Sequence, residues 1–264
     1  AEIEFPFFEK YLKDARHSAP AEANVFETGS NTWRTFDHWP PSNVSVKTLF
    51  ARERGKLAYE PPPESTKDSL DEFVSDPAKP VPYTEAITSR MTNEYMVEDQ
   101  RFAARRPDVM FYQTEALDAD LVVAGPLEVD LWVTTTGTDA DFIVKLIDVQ
   151  PDGTTAASLP NYQMMIRSEV IRGRFRDSFE HPAPFQSGVP TKVHLELLDV
   201  LHRFKKGHRL MIQVQSTWFP LIDRNPQKFV ENIYLAKPED FIKATHRILR
   251  SATHPTNVRM SVLP

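Results

Sequence analysis

The amino-acid sequence contains no cysteine, and its eight glycines are scattered along 264 residues. The lack of cysteine excludes a disulfide framework, a thiolate metal site and a cysteine nucleophile. The spacing of the glycines excludes a Gly-x-Ser-x-Gly motif, the strained turn that presents a nucleophilic serine. We therefore expect no catalytic residue in this chain.

Two further shortages exclude classes of partner. The net charge is −6, whereas affinity for nucleic acid depends on clustered lysines and arginines. No apolar run approaches the roughly 20 residues that cross a bilayer. We expect neither a nucleic-acid partner nor a membrane span. The composition leaves the compartment open between bacterial periplasmic or secreted and cytoplasmic.

The histidines and aspartates do not stand in a metal-binding pattern. None of the eight histidines has His-x-x-x-His or Glu-x-x-His spacing, and we expect each to be a solvated or hydrogen-bonded surface residue. The pairs Asp118 and Asp120, and Asp139 and Asp141, resemble half of a calcium loop without its glycine and terminal glutamate. We predict turns at both pairs and no metal or cofactor, with a structural calcium ion in a loop as the open alternative.

The beginning of the sequence is predicted to be a short helix. Within residues 3–13, Phe5, Phe8, Tyr11 and Leu12 recur at nearly helical spacing. A helix of this length is marginal in water and needs a partner surface. We interpret this helix as part of a larger body than the chain itself provides.

From residue 109 onward the hydrophobic period is two, which predicts half-buried strands. Many such strands without amphipathic helices between them favour a mainly β fold, an antiparallel jelly-roll β-sandwich with a short N-terminal helix. The predicted core residues are Leu127, Leu131, Val144, Leu146, Leu195, Ile212 and Val214. By contrast, residues 61–108 are rich in proline and acidic residues and only weakly periodic. Their apolar content predicts a long but ordered excursion.

The four tryptophans allow two interpretations. Trp33, Trp39, Trp132 and Trp218 on a β-sandwich could stack against sugar rings, so the alternative function is a carbohydrate-binding β-sandwich module. Large exposed aromatic side chains also mark contacts between domains. We favour the contact between domains, because the N-terminal helix also lacks a partner.

Several longer motifs, in order along the chain, carry a resemblance to a known family. They are Ser75-Asp-Pro-Ala-Lys-Pro-Val-Pro82, Asp99-Gln-Arg-Phe102, Arg106-Pro-Asp-Val109, Asp141-Phe-Ile-Val-Lys-Leu-Ile-Asp-Val149, Arg172-Gly-Arg-Phe-Arg176, Gly207-His-Arg209 and Phe219-Pro-Leu-Ile-Asp-Arg-Asn-Pro-Gln227. The sequence resembles the C-terminal part of the α-amino-acid ester hydrolases. These enzymes are related to glutaryl acylases, bacterial cocaine esterase and the X-Pro dipeptidyl-peptidases.

The resemblance implies a domain organisation. In that family an α/β-hydrolase domain carries a Ser-Asp-His triad, and a jelly roll follows it. All three triad residues precede the part that matches here, so no catalytic residue transfers to this sequence. Residues 1–20 would be the C-terminal remnant of the hydrolase domain, and residues 21–264 the jelly roll with its excursion at 61–108.

The resemblance also implies a function and partners. The parent would be a serine hydrolase of α-amino-acid esters or amides, with β-lactam acyl transfer or X-Pro dipeptides as possible specialisations. Its partners would be the hydrolase domain, a small-molecule or peptide substrate and further copies of the protein. We expect the stretch 83–102 to form a wall of the substrate pocket, with Tyr95, Met96, Asp99 and Gln100 as its residues.

Overall fold

A computed structural model describes residues 4–13, 21–65, 69–152 and 160–264. Their backbone is mainly β, as the hydrophobic period predicts, with helix α1 (Glu4–Lys13) and the single turn α2 (Arg101–Ala104). The strands are β1 (Ala23–Glu27), β2 (Thr32–Phe36), β3 (Ser45–Arg52), β4 (Lys56–Ala58), β5 (Leu70–Ser75), β6 (Val109–Gln113), β7 (Leu121–Thr135), β8 (Asp141–Val149), β9 (Gln163–Arg172), β10 (Thr191–Phe204), β11 (Arg209–Gln215), β12 (Ala244–Leu249) and β13 (Asn257–Val262).

Eleven of these strands form one continuous sheet in the order β5-β12-β7-β13-β3-β4-β6-β11-β8-β9, with β10 paired to β7. The pairings are antiparallel except for one short parallel contact between β4 and β6. The sheet folds over on itself, since Arg167 on β9 donates a hydrogen bond to the main-chain oxygen of Asp199 on β10. Strands β1 and β2 form a separate hairpin. The architecture is a β-sandwich.

The core lies between the two halves of the folded sheet. The seven core residues predicted from the sequence are all at most 4% exposed, which confirms them. Strand β8 is buried along its whole length. Its residues Phe142, Val144 and Leu146 face the main core, whereas Ile143 and Ile147 belong to other clusters. The outer face of β8 is therefore covered as well, and that covering layer positions the candidate site.

The excursion contains a strand that its weak periodicity did not predict. Strand β5 pairs with β12 at one end of the sheet. Its inner residue Phe73 is 3% exposed, but Asp71 and Glu72 precede it and Val74 is exposed. Arg250, which directly follows β12, forms an ion pair with Asp71, and its Nε lies 2.8 Å from Oδ2 of Asp71. Pairing and ion contacts with distant residues, rather than local alternation, make this segment a strand.

Helix α1 forms where the sequence predicts it, but none of its residues is buried. Phe5, Phe8, Tyr11 and Leu12 are each more than half exposed. The remainder of the predicted segment 1–20, apart from α1, lies outside the described residues. The division into a remnant and a jelly roll stays a prediction.

Candidate functional site

Residues 81–102, which we call the cover segment, lie on the outer face of β8 and β11. The main chain of Tyr83 donates to the oxygen of Phe219 at 3.0 Å, and that of Gln100 donates to Gln163 at 3.0 Å. The segment is therefore hydrogen-bonded to the body of the domain near both of its ends. The segment packs on the outer face of β8, which carries Ile143 and Lys145.

Three aromatic side chains join the cover segment to the sheet. Tyr83 and Tyr95 have ring centroids 5.4 Å apart, and Tyr95 meets Trp218 edge to face at 5.8 Å. Together with Ile143 of β8, Tyr83 and Trp218 form a buried cluster. Such aromatic pairs contribute about 0.5–1.5 kcal/mol beyond the area that they bury. Trp218 follows β11 directly, so the end of a core strand fixes its place.

Lys145 lies in the middle of this contact and is completely buried. Its Nζ donates a 2.8 Å hydrogen bond to Oε1 of Gln100 and sits 4.7 Å from the centroid of the Trp218 ring. Burial lowers the pKa of Lys145 to about 7, although the nearby carboxylate of Glu98 opposes that shift. A buried amine thus adds a side-chain connection between β8 and the cover segment to the main-chain hydrogen bonds near the ends of that segment.

The four residues predicted to form a pocket wall share the cover segment but face different surroundings. Met96 is exposed, and Tyr95 is half-buried. Asp99 forms an ion pair with Arg101 and also accepts a hydrogen bond from the main chain of Gln163. Gln100 is buried and faces Lys145. The role of these four residues beside a substrate stays a prediction. The contact of Gln100 with Lys145 was not predicted from the sequence.

A cleft of about 410 Å³ opens beside the cover segment. It is lined by residues 82–91 together with Phe219 and Pro220. The hydroxyl of Tyr83 accepts a 3.2 Å hydrogen bond from the main chain of Thr92, which fixes the loop that forms one side. Clefts that hold small ligands have volumes of roughly 300–1,000 Å³, so this one has the size to take part of a small molecule.

A second buried polar cluster lies at the end of the sheet where β8 begins. Burial raises the pKa of Asp141 to about 6, although Arg172 and Asn225 oppose that shift. Oδ1 of Asp141 lies 3.3 Å from Nε of Arg172 and accepts a 2.7 Å hydrogen bond from Nδ2 of Asn225. Nearby, His246 Nε2 lies 2.8 Å from Oε1 of Gln227, and burial lowers the pKa of His246 to about 4. These contacts tie the loop after β11 to the sheet.

Two of the histidines expected at the surface are buried, which corrects that prediction. His202 and His246 are both 0% exposed. Asp148 lies between two imidazoles, 3.1 Å from His202 Nε2 and 2.8 Å from His208 Nδ1. His202 lies on β10 directly after the buried Leu201. The apolar residues around His202 were therefore the sequence signal that could have indicated its burial. His17 lies outside the described residues.

The paired aspartates bind side chains and main-chain groups of the protein itself. Asp139 forms a buried ion pair with Arg174 at 2.7 Å. Asp120 accepts a 2.9 Å hydrogen bond from the main chain of Lys206. Within the described ranges, no group of three or more histidine, aspartate or glutamate side chains is arranged to hold a metal ion. The same residues contain no helix that is long and apolar enough to cross a membrane.

The tryptophans occupy four separate environments. Trp33 is 64% exposed on the β1–β2 hairpin, whereas Trp218 is buried beneath the cover segment. Trp39 packs against Phe36, and Trp132 packs against His254. None of these ring contacts joins two tryptophans, so they give the carbohydrate platform no support.

These features define a β-sandwich module with buried polar contacts beneath its cover segment and at the end of the sheet where β8 begins. Residues 17–259 match the family described as the X-Pro dipeptidyl-peptidase C-terminal non-catalytic domain. The chain belongs to that family.

Similar proteins include two solved structures and one curated enzyme. An aminopeptidase from the marine sediment archaeon Thaumarchaeota archaeon is 42% identical, with a TM-score of 0.93 over 99% of this chain and 44% of its own. An α-amino acid ester hydrolase is 40% identical, with a TM-score of 0.91 over 97% of this chain and 44% of its own. The cocaine esterase of Rhodococcus sp. (strain MB1 Bresler) is 28% identical over 97% of this chain and 45% of its own length. The chain thus spans less than half of each relative.

Proposed function

We propose that this domain belongs to a serine hydrolase that acts on esters or amides of α-amino acids. In that enzyme it shapes one wall of the active site and holds the interface with the catalytic domain. The observation that carries the proposal is the similarity, at 40% and 42% identity, to a matching share of an α-amino acid ester hydrolase and an aminopeptidase. Both names denote substrates with an α-amino group.

Helix α1 supports the interface part of the proposal. Its exposed aromatic and aliphatic side chains form an apolar surface on a helix of only ten residues. An isolated helix of that length is unstable in water, so it needs an apolar surface to pack against. We propose that the catalytic domain supplies this surface, and that copies of the domain associate through it when the catalytic domain is absent.

The cover segment supports the active-site part of the proposal. Ile87 and Met91 are exposed apolar side chains that line the 410 Å³ cleft, and Met96 is exposed further along the same segment. A substrate acyl group bound at the boundary between domains would meet such a surface. Specialisation for β-lactam acyl groups or X-Pro dipeptides would then depend on this segment.

The test compares the domain alone with the domain joined to its catalytic partner. We expect the 264-residue chain alone to leave phenylglycine methyl ester and alanyl-proline nitroanilide unchanged. The joined protein should hydrolyse at least one of them, and a fluorophosphonate probe should label a serine outside these residues. Turnover by this chain alone, with the probe attached to one of its own serines, would refute the non-catalytic assignment. A joined protein active only on simple acetyl esters would refute the substrate class.

A further inference from the structure

We propose that Lys145 is the positioning residue of the cover segment, holding that segment on the sheet through Gln100 and Trp218. The effect of Lys145 on a substrate pocket rests on the proposed function, whereas its role in placing the cover segment does not. Lys145 lies on the core strand β8, but its side chain is not part of the main core. Its contacts instead point outward, toward the cover segment.

The geometry gives Lys145 two connections to that layer. Nζ donates to Oε1 of Gln100 at 2.8 Å, and the side-chain nitrogen of Gln100 donates to the main-chain oxygen of Glu98 at 2.9 Å. Nζ also lies 4.7 Å from the Trp218 ring, which touches Tyr95. Lys145 therefore fixes both the C-terminal part of the segment and the aromatic contact at its centre.

The surroundings make this one hydrogen bond important. Gln213 lies directly across from Lys145 on β11, and both polar atoms of its side-chain amide are buried without a partner. Oε2 of Glu98 and Nε1 of Trp218 are likewise buried and unpartnered. Buried polar atoms without partners weaken a contact, because they lose their hydrogen bonds to water. The cover segment should therefore open locally more readily than the core, and Lys145 is its buried side-chain attachment to β8.

Opening should depend on pH through Lys145. In the open form the amine returns to water, where the pKa of lysine is about 10.4, so the open form binds a proton more strongly than the closed form. Opening becomes less favourable as pH rises from about 7.

The titratable groups that the cover segment brings to this contact are Glu98, Asp99, Arg101 and Tyr83. On β9, Ser168 lies across from Lys145, whereas Arg167 and Glu169 lie across from the inward-facing Leu146 and Val144. Burial opposes the ionisation of Asp99, but hydrogen bonds from Arg101 and Gln163 outweigh it and lower the pKa of Asp99. The hydrogen bond to Asp99 raises the pKa of Arg101, so neither of these two groups changes charge between pH 7 and 9.

Native-state hydrogen exchange of the whole chain tests the assignment. For the wild type, we expect the protection factors of amides in residues 83–100 to increase up to about tenfold per pH unit between pH 7 and 9. In Lys145→Met that increase should disappear, and the same amides should exchange at least about tenfold faster at pH 8, while amides of β7 keep their protection. Gln100→Met should accelerate the same amides, and the double variant should add little further, because both changes break one contact.

Lys192→Met is the matched control, because Lys192 is a half-exposed lysine that pairs with Asp130 at 2.9 Å on a different strand. It should leave exchange in residues 83–100 unchanged. Wild-type protection that is flat between pH 7 and 9 would overturn the assignment even if Lys145→Met fails to fold. Equal exchange in Lys145→Met and Lys192→Met would overturn it as well.

Kinetics of the protein that carries both domains separate this inference from the proposed function. Lys145→Met should raise KM several-fold with a smaller change in kcat, and Lys192→Met should change neither. If exchange accelerates but KM stays the same, Lys145 positions the segment and the pocket-wall role of the segment is wrong. If both stay the same, the positioning role is wrong.

Discussion

Asp141 and His246 should have opposite effects on the pH dependence of stability, and a single substitution should reveal this. Both are buried at the same end of the sheet, where the Oγ of Ser216 donates to the main-chain oxygen of Asp141 and lies 3.1 Å from His246 Nε2. Burial favours the neutral form of each group. It therefore raises the pKa of Asp141 to about 6 and lowers that of His246 to about 4.

The two signs follow from proton linkage. The raised pKa of Asp141 gives stability that is fully present below about pH 4 and is lost as pH rises through about 6. The lowered pKa of His246 gives stability that is present above about pH 6.5 and is lost as pH falls through about 4. Each pKa is shifted by a little over two units, and one unit corresponds to about 1.4 kcal/mol. Asp141 and His246 therefore each change the free energy of unfolding by about 3 kcal/mol. Between pH 4 and 6 they nearly cancel.

The substitution Asp141→Asn removes one side of this balance while it keeps an acceptor for Asn225 and Arg172. We expect the free energy of unfolding of Asp141→Asn to fall about 3 kcal/mol more than that of the wild type when pH is lowered from 6.5 to 4. His246→Gln should show the opposite difference. Urea unfolding at pH 4, 5, 6 and 6.5 measures this directly, because other carboxylates contribute equally to all variants.

The control is Asp177→Asn, which changes a largely exposed carboxylate beside Arg176. Its stability should follow that of the wild type at every pH. Parallel curves for Asp141→Asn and the wild type would show that Asp141 is ionised in the folded protein near pH 5. Burial would then not control the ionisation of Asp141.

Three further predictions concern the core, the hairpin and the N-terminal helix. Leu146→Ala should lower the free energy of unfolding by about 2–5 kcal/mol in urea, and a loss below about 1 kcal/mol would contradict its complete burial. Burial opposes the ionisation of Glu27, but hydrogen bonds from Arg34 and Arg203 outweigh it and lower its pKa to about 2. The stabilisation from Glu27 should thus be present above about pH 4.5 and be lost as pH falls through about 2, and a melting temperature of Glu27→Gln equal to that of the wild type at pH 7 would refute this. Deleting residues 1–13 should reduce self-association measured by light scattering, whereas a chain that is monomeric with and without them would show that α1 needs no partner.

Local alternation was enough to predict most of the sandwich. Leu127, Leu131 and Leu195 alternate with polar residues over many positions, and that signal survives because each strand has one face in the core. Strand β5 was not predicted, because a single buried Phe73 among acidic residues carries no clear period. Its structure depends on β12, about 170 residues later in the sequence, and no local pattern reports such a pairing.

The candidate site was predictable as a segment but not as a set of contacts. The proline-rich excursion and its aromatic residues indicated an ordered layer, and Tyr95 does pack on the sheet. The contact between Gln100 and Lys145 was not predictable, because it joins residues that are 45 positions apart. The burial of His202 and His246 was also missed. A histidine on a strand is ambiguous until the neighbouring strands and loops are known.

The position of β13 has a consequence for synthesis of the protein. This strand is the last in sequence order, yet it lies inside the sheet between β7 and β3. On the ribosome, β3 and β7 emerge long before residues 257–262 do, and until then each presents an open edge that can pair with another chain. Completion of this domain should therefore wait until β13 has emerged and inserted between β7 and β3. A premature stop codon before residue 257 would leave a gap in the middle of the sheet, which makes its product a target for chaperones and proteases.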